Sequence, residues 1–149
     1  MKVKLGQYSF ERDSVTFLES GYVYPLVCGL WIAQQFEKEN LMVLDYGGSL
    51  GSLYFQHTSI LNLIDNLSWT IVEQPHFVTS GKKHLEDERL RFTDTINEFD
   101  SKNKLNLLVF SSVLQYLPDP YKVLENSIKL KPDVILVDRT SFIKNSTQE

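Results

Sequence analysis

The stretch VLDYGGSLG, residues 43–51, joins an apolar run to an acid and then places three glycines in five positions. The whole chain of 149 residues holds only seven glycines, so their concentration here needs a local reason. Glycine readily adopts positive φ angles and leaves bare backbone open to a ligand. The stretch therefore predicts a strand that turns sharply into a helix at Gly47, Gly48 and Gly51, with a ligand at the turn. A tight turn without a ligand is the alternative.

Five apolar runs predict the strands of a parallel sheet. They are LMVLDY at 41–46, SWTIVE at 68–73, RLRFT at 89–93, LNLLVF at 105–110 and DVILVD at 133–138. Three of the runs are continuous enough in Val, Ile, Leu and Phe to be buried on both faces. Because amphipathic stretches alternate with them, we expect an α/β fold: a doubly wound, Rossmann-like parallel sheet of about five strands with crossover helices.

Helical patterns lie between these runs. Residues 24–38 predict a helix that lies on the sheet or covers the site, and residues 51–67 predict a crossover helix. Asp119 and Pro120 predict the N-cap and first position of another. The charged cluster KKHLEDER at 82–89 is interpreted as a solvated helix end. We expect one compact domain, in which residues 1–40 form an N-terminal cap segment and helix and residues 41–149 form the core.

Composition restricts the partners and the compartment. The formal net charge is -4, so the surface lacks the basic excess typical of nucleic-acid binding. No apolar run approaches the ~20 residues that span a membrane, and the N-terminal charges do not fit a secretory signal. The one cysteine, Cys28, lies in an apolar stretch and is expected to be a small buried residue. A cytoplasmic protein is the expectation.

The glycine stretch does not fit two other nucleotide-binding motifs. The dinucleotide motif G-x-G-x-x-G, aligned on Gly48 and Gly51, requires glycine where the chain has Tyr46. The phosphate-binding P-loop requires Lys followed by Ser or Thr after the glycines, and neither pair is present. A dehydrogenase fragment is therefore a weaker interpretation.

Residues 45–51 read D-Y-G-G-S-L-G, an acid followed by glycines in which Ser49 replaces the middle one. This stretch resembles the first motif of the class I S-adenosylmethionine-dependent methyltransferases, D-x-G-x-G-x-G. Together with IVEQP, FSSVLQYLPDPY and ILVDRTSF, it resembles more narrowly a group of methyltransferases associated with bacterial surface-polysaccharide gene neighbourhoods. The resemblance implies S-adenosylmethionine as cofactor and a sugar or other small molecule as methyl acceptor.

The cofactor-binding residues follow from spacing and from this resemblance. Glu73 closes the second strand about 22 residues after the last glycine, where an acid can bind ribose hydroxyls. The resemblance implies that Asp94 contacts the adenine amino group. A carboxylate at Asp45 suits a cationic sulfonium, although it could instead cap the glycine turn. The predicted cofactor-binding residues are Asp45, Gly47, Gly48, Gly51, Glu73, Asp94 and Ser111; Ser112, Gln115 and Tyr116 are expected to line the same pocket.

Methyl transfer to an oxygen acceptor would profit from a general base. Asp138, His57 and His76 are the candidates, with a surface ion pair to Arg139, a packing role and an exposed ring as their respective alternatives. The three histidines and Cys28 show no metal-ligand spacing, so no metal is predicted.

The resemblance also implies a seven-stranded sheet that ends in a hairpin, which the polar residues RTSFIKNSTQE after the fifth run cannot supply. We therefore expect a truncated form, or an exposed fifth-strand edge that a partner chain covers, with a homodimer as the simplest case. A non-enzymatic binding module with the same fold is the alternative function.

Overall fold

The computed structural model describes residues 10–12, 15–17, 21–37, 39–96 and 104–141. Its elements, in chain order, are β1 (Phe10–Arg12), β2 (Val15–Phe17), α1 (Tyr24–Phe36), β3 (Leu41–Tyr46), α2 (Ser52–Gln56), α3 (Thr58–Leu61), β4 (Leu67–Val72), α4 (Pro75–His84), β5 (Leu90–Thr93), β6 (Leu107–Ser111), α5 (Pro120–Ile128) and β7 (Val134–Asp138). Strands β1 and β2 form an antiparallel pair that the sequence did not predict.

The other five strands form one parallel sheet in the order β5-β4-β3-β6-β7. This confirms the predicted fold class. The chain winds outward from β3 through β4 to β5, and then returns to the other side of β3 for β6 and β7. The winding direction therefore reverses between β3 and β6, at the place where doubly wound sheets leave a crevice at the carboxyl ends of their strands.

Alternating side chains of the strands enter two cores, one on each face of the sheet. On one face, Val43, Trp69 and Val109 pack with apolar residues of α1, α2 and α4. On the other, Leu44 and Phe110 pack with apolar residues that include part of α5. Strands β3 and β6 are therefore covered on both faces, which fixes their carboxyl ends.

Helix α1 packs against β6 and β7 in the first of these cores, and it ends at Phe36 rather than at residue 38. Cys28 is exposed, so its predicted burial is wrong. The reason is helical geometry: Leu26, Leu30 and Ala33 form the buried row, and Cys28 lies outside it.

The crossover helix expected at residues 51–67 is two short helices, α2 and α3, followed by turns. At the break between the two helices, side chains also bind backbone carbonyl oxygens. The Thr58 hydroxyl donates to Phe55 O at 2.9 Å, and His57 Nδ1 lies 2.8 Å from Leu53 O. Beyond α3, the Arg89 guanidinium donates to Leu61 O at 2.6 Å, which satisfies a carbonyl left by the ending helix.

Strand β7 lies at one edge of the sheet and, among the described residues, pairs only with β6. Ile135 and Val137 are 41% and 40% exposed. Residues 142–149 fall outside the described ranges, so the expected partner at this edge stays a prediction, as does the division at residue 40. No helix in the described part of the chain is both long and apolar enough to cross a membrane.

Candidate functional site

The glycine bend after β3 is fixed by contacts that no side chain would allow. Gly47 has φ +75° and donates its N–H to Val72 O at 2.9 Å. A Cβ added at Gly48 would lie 2.4 Å from Asp45 Oδ2. Gly51 has φ +89° and is the N-cap of α2. The sequence-based interpretation of these glycines as a sharp strand-to-helix turn is therefore confirmed.

Asp45 is the most strongly perturbed acid at the bend. Its side chain is 1% exposed, and burial raises its pKa to about 7. The nearby Glu73 carboxylate raises the pKa further, whereas the Trp69 indole and the Arg139 guanidinium oppose the rise. Among the described residues, neither Asp45 Oδ2 nor Trp69 Nε1 has a partner in hydrogen-bonding geometry. A buried acceptor therefore faces the bend with a vacant hydrogen-bonding position.

Glu73 follows β4 and faces the glycine bend. Its Oε1 accepts from the Ser49 N–H at 3.2 Å, and its Oε2 accepts from the Gln74 N–H at 2.7 Å. The carboxylate therefore joins the ends of β3 and β4 opposite the glycine bend, and its binding of ribose hydroxyls stays a prediction. Each carboxylate oxygen retains a lone pair for a ligand donor.

Two cavities flank the bend. The larger measures about 600 Å³ and is lined by Tyr46, Gly47, Ser49, Val72, Glu73, Gln74, Pro75, Phe77, Asp94, Ser112, Val113, Tyr116 and Leu117. The smaller measures about 210 Å³ and is lined by Asp45, Gly47, Gly48, Ser49, Ser52, Leu53, Ser111, Ser112, Tyr116 and Arg139. Gly47, Ser49, Ser112 and Tyr116 belong to both linings, so the cavities meet at the bend.

The structure thus brings most of the predicted cofactor-binding residues to one place. Glu73 and Asp94 line the larger cavity, whereas Asp45, Gly48 and Ser111 line the smaller one. Gly51 lines neither cavity and serves the turn into α2.

The three candidate bases are placed differently. His57 is fully buried; its Nε2 accepts from the Val23 N–H at 2.8 Å, and its Nδ1 lies against Leu53 O. With both ring nitrogens engaged and the ring outside both cavity linings, His57 has a packing role and is removed from the candidate bases. His76 is exposed, with its ring 4.4 Å from that of Phe77.

Asp138 lies behind the wall of the smaller cavity. It accepts from the Ser111 hydroxyl at 3.3 Å and pairs with Arg139 Nε at 3.3 Å. Arg139 Nη2 in turn donates to Ser111 Oγ at 2.8 Å. The three side chains form a closed cluster in which Ser111 and Arg139 face the cavity and Asp138 orients them. The ion pair with Arg139, which was the alternative to a catalytic role for Asp138, is therefore present.

A backbone feature of the smaller cavity was not predicted from the sequence. Ser49, Ser112 and Arg139 have φ angles of 52°, 58° and 50°, a region that residues with side chains rarely adopt. Each lies just beyond the carboxyl end of a different strand, and all three line this cavity. Such conformations concentrate at functional sites, because the surrounding structure must hold them in place.

No protein-family model matches the sequence, and no curated protein sequence matches it significantly. Solved structures do match. The plantazolicin methyltransferase BamL, in complex with a triazolic desmethylPZN analogue and S-adenosylhomocysteine (SAH), has a TM-score of 0.54 at 16% identity over 72% of this chain and 41% of its own. The SAH-bound N-terminal domain of EvdMO1 has a TM-score of 0.50 at 13% identity over 87% of this chain and 57% of its own.

Human N-acetylserotonin methyltransferase in complex with S-adenosylmethionine is 25% identical over 74% of this chain and 33% of its own, with a TM-score of 0.49. The chain spans about two fifths of BamL's own length. BamL and the EvdMO1 domain are 16% and 13% identical to this chain, so their likeness shows the fold alone. The five parallel strands and their helices therefore have the Rossmann-like fold found in methyltransferases.

Proposed function

We propose that the chain binds S-adenosylmethionine and is the cofactor-binding part of a methyltransferase. The observation that carries this proposal is the bend at Gly47 and Gly48, set between the carboxylate of Glu73 and the buried carboxyl of Asp45, whose Oδ2 has no hydrogen-bond partner among the described residues. The resemblance of residues 45–51 to the methyltransferase motif supports it independently. BamL and the EvdMO1 domain, whose folds are similar, were both crystallised with SAH, which also supports the proposal.

The two cavities suit the two halves of this cofactor. The larger one combines apolar walls, which include Phe77 and Leu117, with the carboxylates of Glu73 and Asp94. Its size falls within the range of about 300–1,000 Å³ usual for ligand pockets, and acids there can accept from ribose and adenine donors. The smaller one carries an acid at Asp45 and a guanidinium at Arg139. We assign the adenosine half to the larger cavity and the amino-acid half to the smaller.

S-adenosylmethionine supplies an electrophilic methyl group, and the protein's contribution to its transfer is chiefly alignment and exclusion of water. We propose a small-molecule acceptor, a sugar hydroxyl being the specific case that the sequence resemblance supports. The acceptor would approach the place where the two cavities meet, which Ser112 and Tyr116 line with hydroxyl groups. Asp138 would position Ser111 and Arg139 in the wall of the smaller cavity.

Isothermal titration with S-adenosylmethionine and SAH tests the cofactor proposal. Glu73→Gln should weaken both ligands by roughly 10- to 100-fold, because hydrogen bonds to a charged acceptor are worth about 1.5–3 kcal/mol. Glu125→Gln is the matched control, since the same change is made at an exposed position of α5. No heat with either ligand for the folded wild-type chain would refute the proposal.

A non-enzymatic binding module is the second candidate function. It is favoured by one observation: among the described lining residues of the smaller cavity, Asp45 is the only carboxylate and no histidine is present. Methyl transfer to a panel of nucleotide sugars separates the two functions. Radiolabel appearing in a sugar product supports an enzyme, whereas tight cofactor binding without transfer to any acceptor supports the binding module.

A further inference from the structure

Tyr116 is an exposed aromatic residue at the candidate site. It is 77% exposed, although it lines both cavities beside the glycine bend. Among the described residues, its hydroxyl has no hydrogen-bond partner and no other aromatic ring packs against it. Two further rings line the larger cavity, and each is already paired: Tyr46 lies 5.5 Å from Phe110, and Phe77 lies 4.4 Å from His76. Of these rings, Tyr116 therefore has the most surface open to a ligand.

The backbone of Tyr116 is fixed at the bend. It ends a short 3₁₀ turn, Leu114–Tyr116, whose first residue is buried in the core. Its N–H donates to Val113 O at 2.9 Å. Val113 in turn packs so closely on the bend that a Cβ at Gly47 would overlap its side chain. A fixed backbone therefore keeps the exposed ring at the place where the two cavities meet.

The charge that would occupy this place follows from the proposed function, on which this inference rests. S-adenosylmethionine has a positively charged sulfur between its adenosine and amino-acid halves. With one half in each cavity, the sulfur lies where the two linings coincide, at Gly47, Ser49, Ser112 and Tyr116. None of these residues has an ionised side chain at neutral pH, and Tyr116 is the one with an aromatic ring. The negative face of such a ring attracts cations.

We propose that the ring of Tyr116 covers the sulfonium of bound S-adenosylmethionine and holds it by a cation–π contact. The acids Asp45 and Glu73 each line one cavity only, whereas Tyr116 lines both. The sulfur of SAH is neutral and lacks the methyl group, so this contact strengthens the binding of S-adenosylmethionine and not that of SAH. Tyr116 thereby makes the site distinguish the charged cofactor from its uncharged product.

Isothermal titration of Tyr116→Leu and Tyr116→Phe with both ligands tests the proposal. The ratio of the Kd of SAH to the Kd of S-adenosylmethionine measures the preference for the charged ligand. Leucine removes the ring and should lower this ratio by roughly 2- to 30-fold, the range that a cation–π contact supplies. Phenylalanine keeps the ring and should keep the ratio.

Tyr121→Leu is the matched control, because Tyr121 is a tyrosine of α5 that is 78% exposed and lies outside both cavity linings. It should change the affinity for neither ligand. Circular dichroism checks that all three variants fold.

A second measurement separates the attraction of the ring for charge from its shape. Fluorine atoms weaken the negative face of a ring with little change in its size, so Tyr116→Phe variants with an increasing number of ring fluorines form a graded series. The Kd of S-adenosylmethionine should rise with each added fluorine. The Kd of SAH should stay constant along the series.

Three results would overturn this inference. An unchanged ratio in Tyr116→Leu would make the ring an ordinary part of the cavity wall. A ratio that falls equally in Tyr116→Phe would assign the preference to the hydroxyl, and a Kd independent of fluorine would assign it to packing of the methyl group. In each case the folded wild-type chain still binds the cofactor, so the proposed function stands. Failure of the wild-type chain to bind either ligand would refute the proposed function, and this inference with it.

Discussion

The carboxyl group of Asp45 is only 1% exposed and packs against Gly48, where an added Cβ would lie 2.4 Å from Oδ2. Burial raises its pKa from 3.8 to about 7. An ionised carboxylate there is unfavourable unless a cation or a hydrogen-bond donor joins it. Under the proposed function, a sulfonium or ammonium group would be that partner, so the site sacrifices stability in the ligand-free protein for affinity.

Asp45→Asn should therefore stabilise the ligand-free protein above pH 7. The unfolded chain loses this proton near pH 3.8 and the folded chain near pH 7, so wild-type stability falls as pH rises between these values and stays reduced above them. The gain for the variant should be near zero at pH 4 and reach on the order of a few kcal/mol at pH 8. Thermal unfolding at both pH values measures it. An equal difference at pH 4 and pH 8 would contradict the shifted titration.

At the scale of the elements, two helical glycines differ in how much space separates them from the strand on which the helix packs. In α1, a Cβ at Gly29 would lie 3.4 Å from Leu107, an ordinary contact. In α4, a Cβ at Gly81 would lie 2.5 Å from the ring of Phe92. Phe92 is 2% exposed and packed in the core, so its ring has little room to move. Helix α4 therefore approaches β5 at a distance that only glycine permits.

Gly29→Ala should raise the free energy of unfolding by up to about 1 kcal/mol, because alanine is the better helix former and meets no obstacle. Gly81→Ala should lower it by about 1–3 kcal/mol despite the same gain in helix propensity, because the new methyl group overpacks the core. Urea unfolding of the two single variants gives the comparison. Stabilisation by both changes would show that α4 and β5 separate at little cost.

The elements that the sequence predicted well are those whose signals are local. Asp119 is the predicted N-cap of α5, and its side chain accepts from the Lys122 N–H at 3.1 Å. The apolar run 41–46 coincides with β3, and the other strand bounds differ by one or two residues. The end of α3 at Leu61 escaped prediction, because its carbonyl is bound by the guanidinium of Arg89, which is distant in the chain.

The same distinction applies to the site. Motif and spacing placed Glu73 at the bend, because in a parallel sheet the carboxyl ends of neighbouring strands meet. The cluster of Ser111, Asp138 and Arg139 joins β6 to β7 across 28 positions of the chain. Its internal contacts, and the positive φ of Arg139, depend on how those two strands pack. Sequence could name these residues but not the geometry that turns them toward the cavity.

At the scale of the whole molecule, the residues lining the two cavities come from positions 45–139, all within one chain and one sheet. They lie at the carboxyl ends of β3, β4, β5, β6 and β7 or in the segments that follow these strands, so the site depends on formation of this sheet. The chain spans about two fifths of BamL, and the described residues of the proposed cofactor site all belong to this chain. Cofactor binding and methyl transfer are therefore separable questions for this protein.

We therefore expect the chain alone to bind S-adenosylmethionine and to be stabilised by it. At a ligand concentration of 100 times Kd the stabilisation is about 2.7 kcal/mol, which for this length raises Tm by about 5–10 °C. Adenosine, which would fill the larger cavity alone, should raise Tm less at the same concentration. Scanning fluorimetry with both ligands measures the difference. Equal shifts would show that the smaller cavity, with Asp45 and Arg139, contributes nothing to binding.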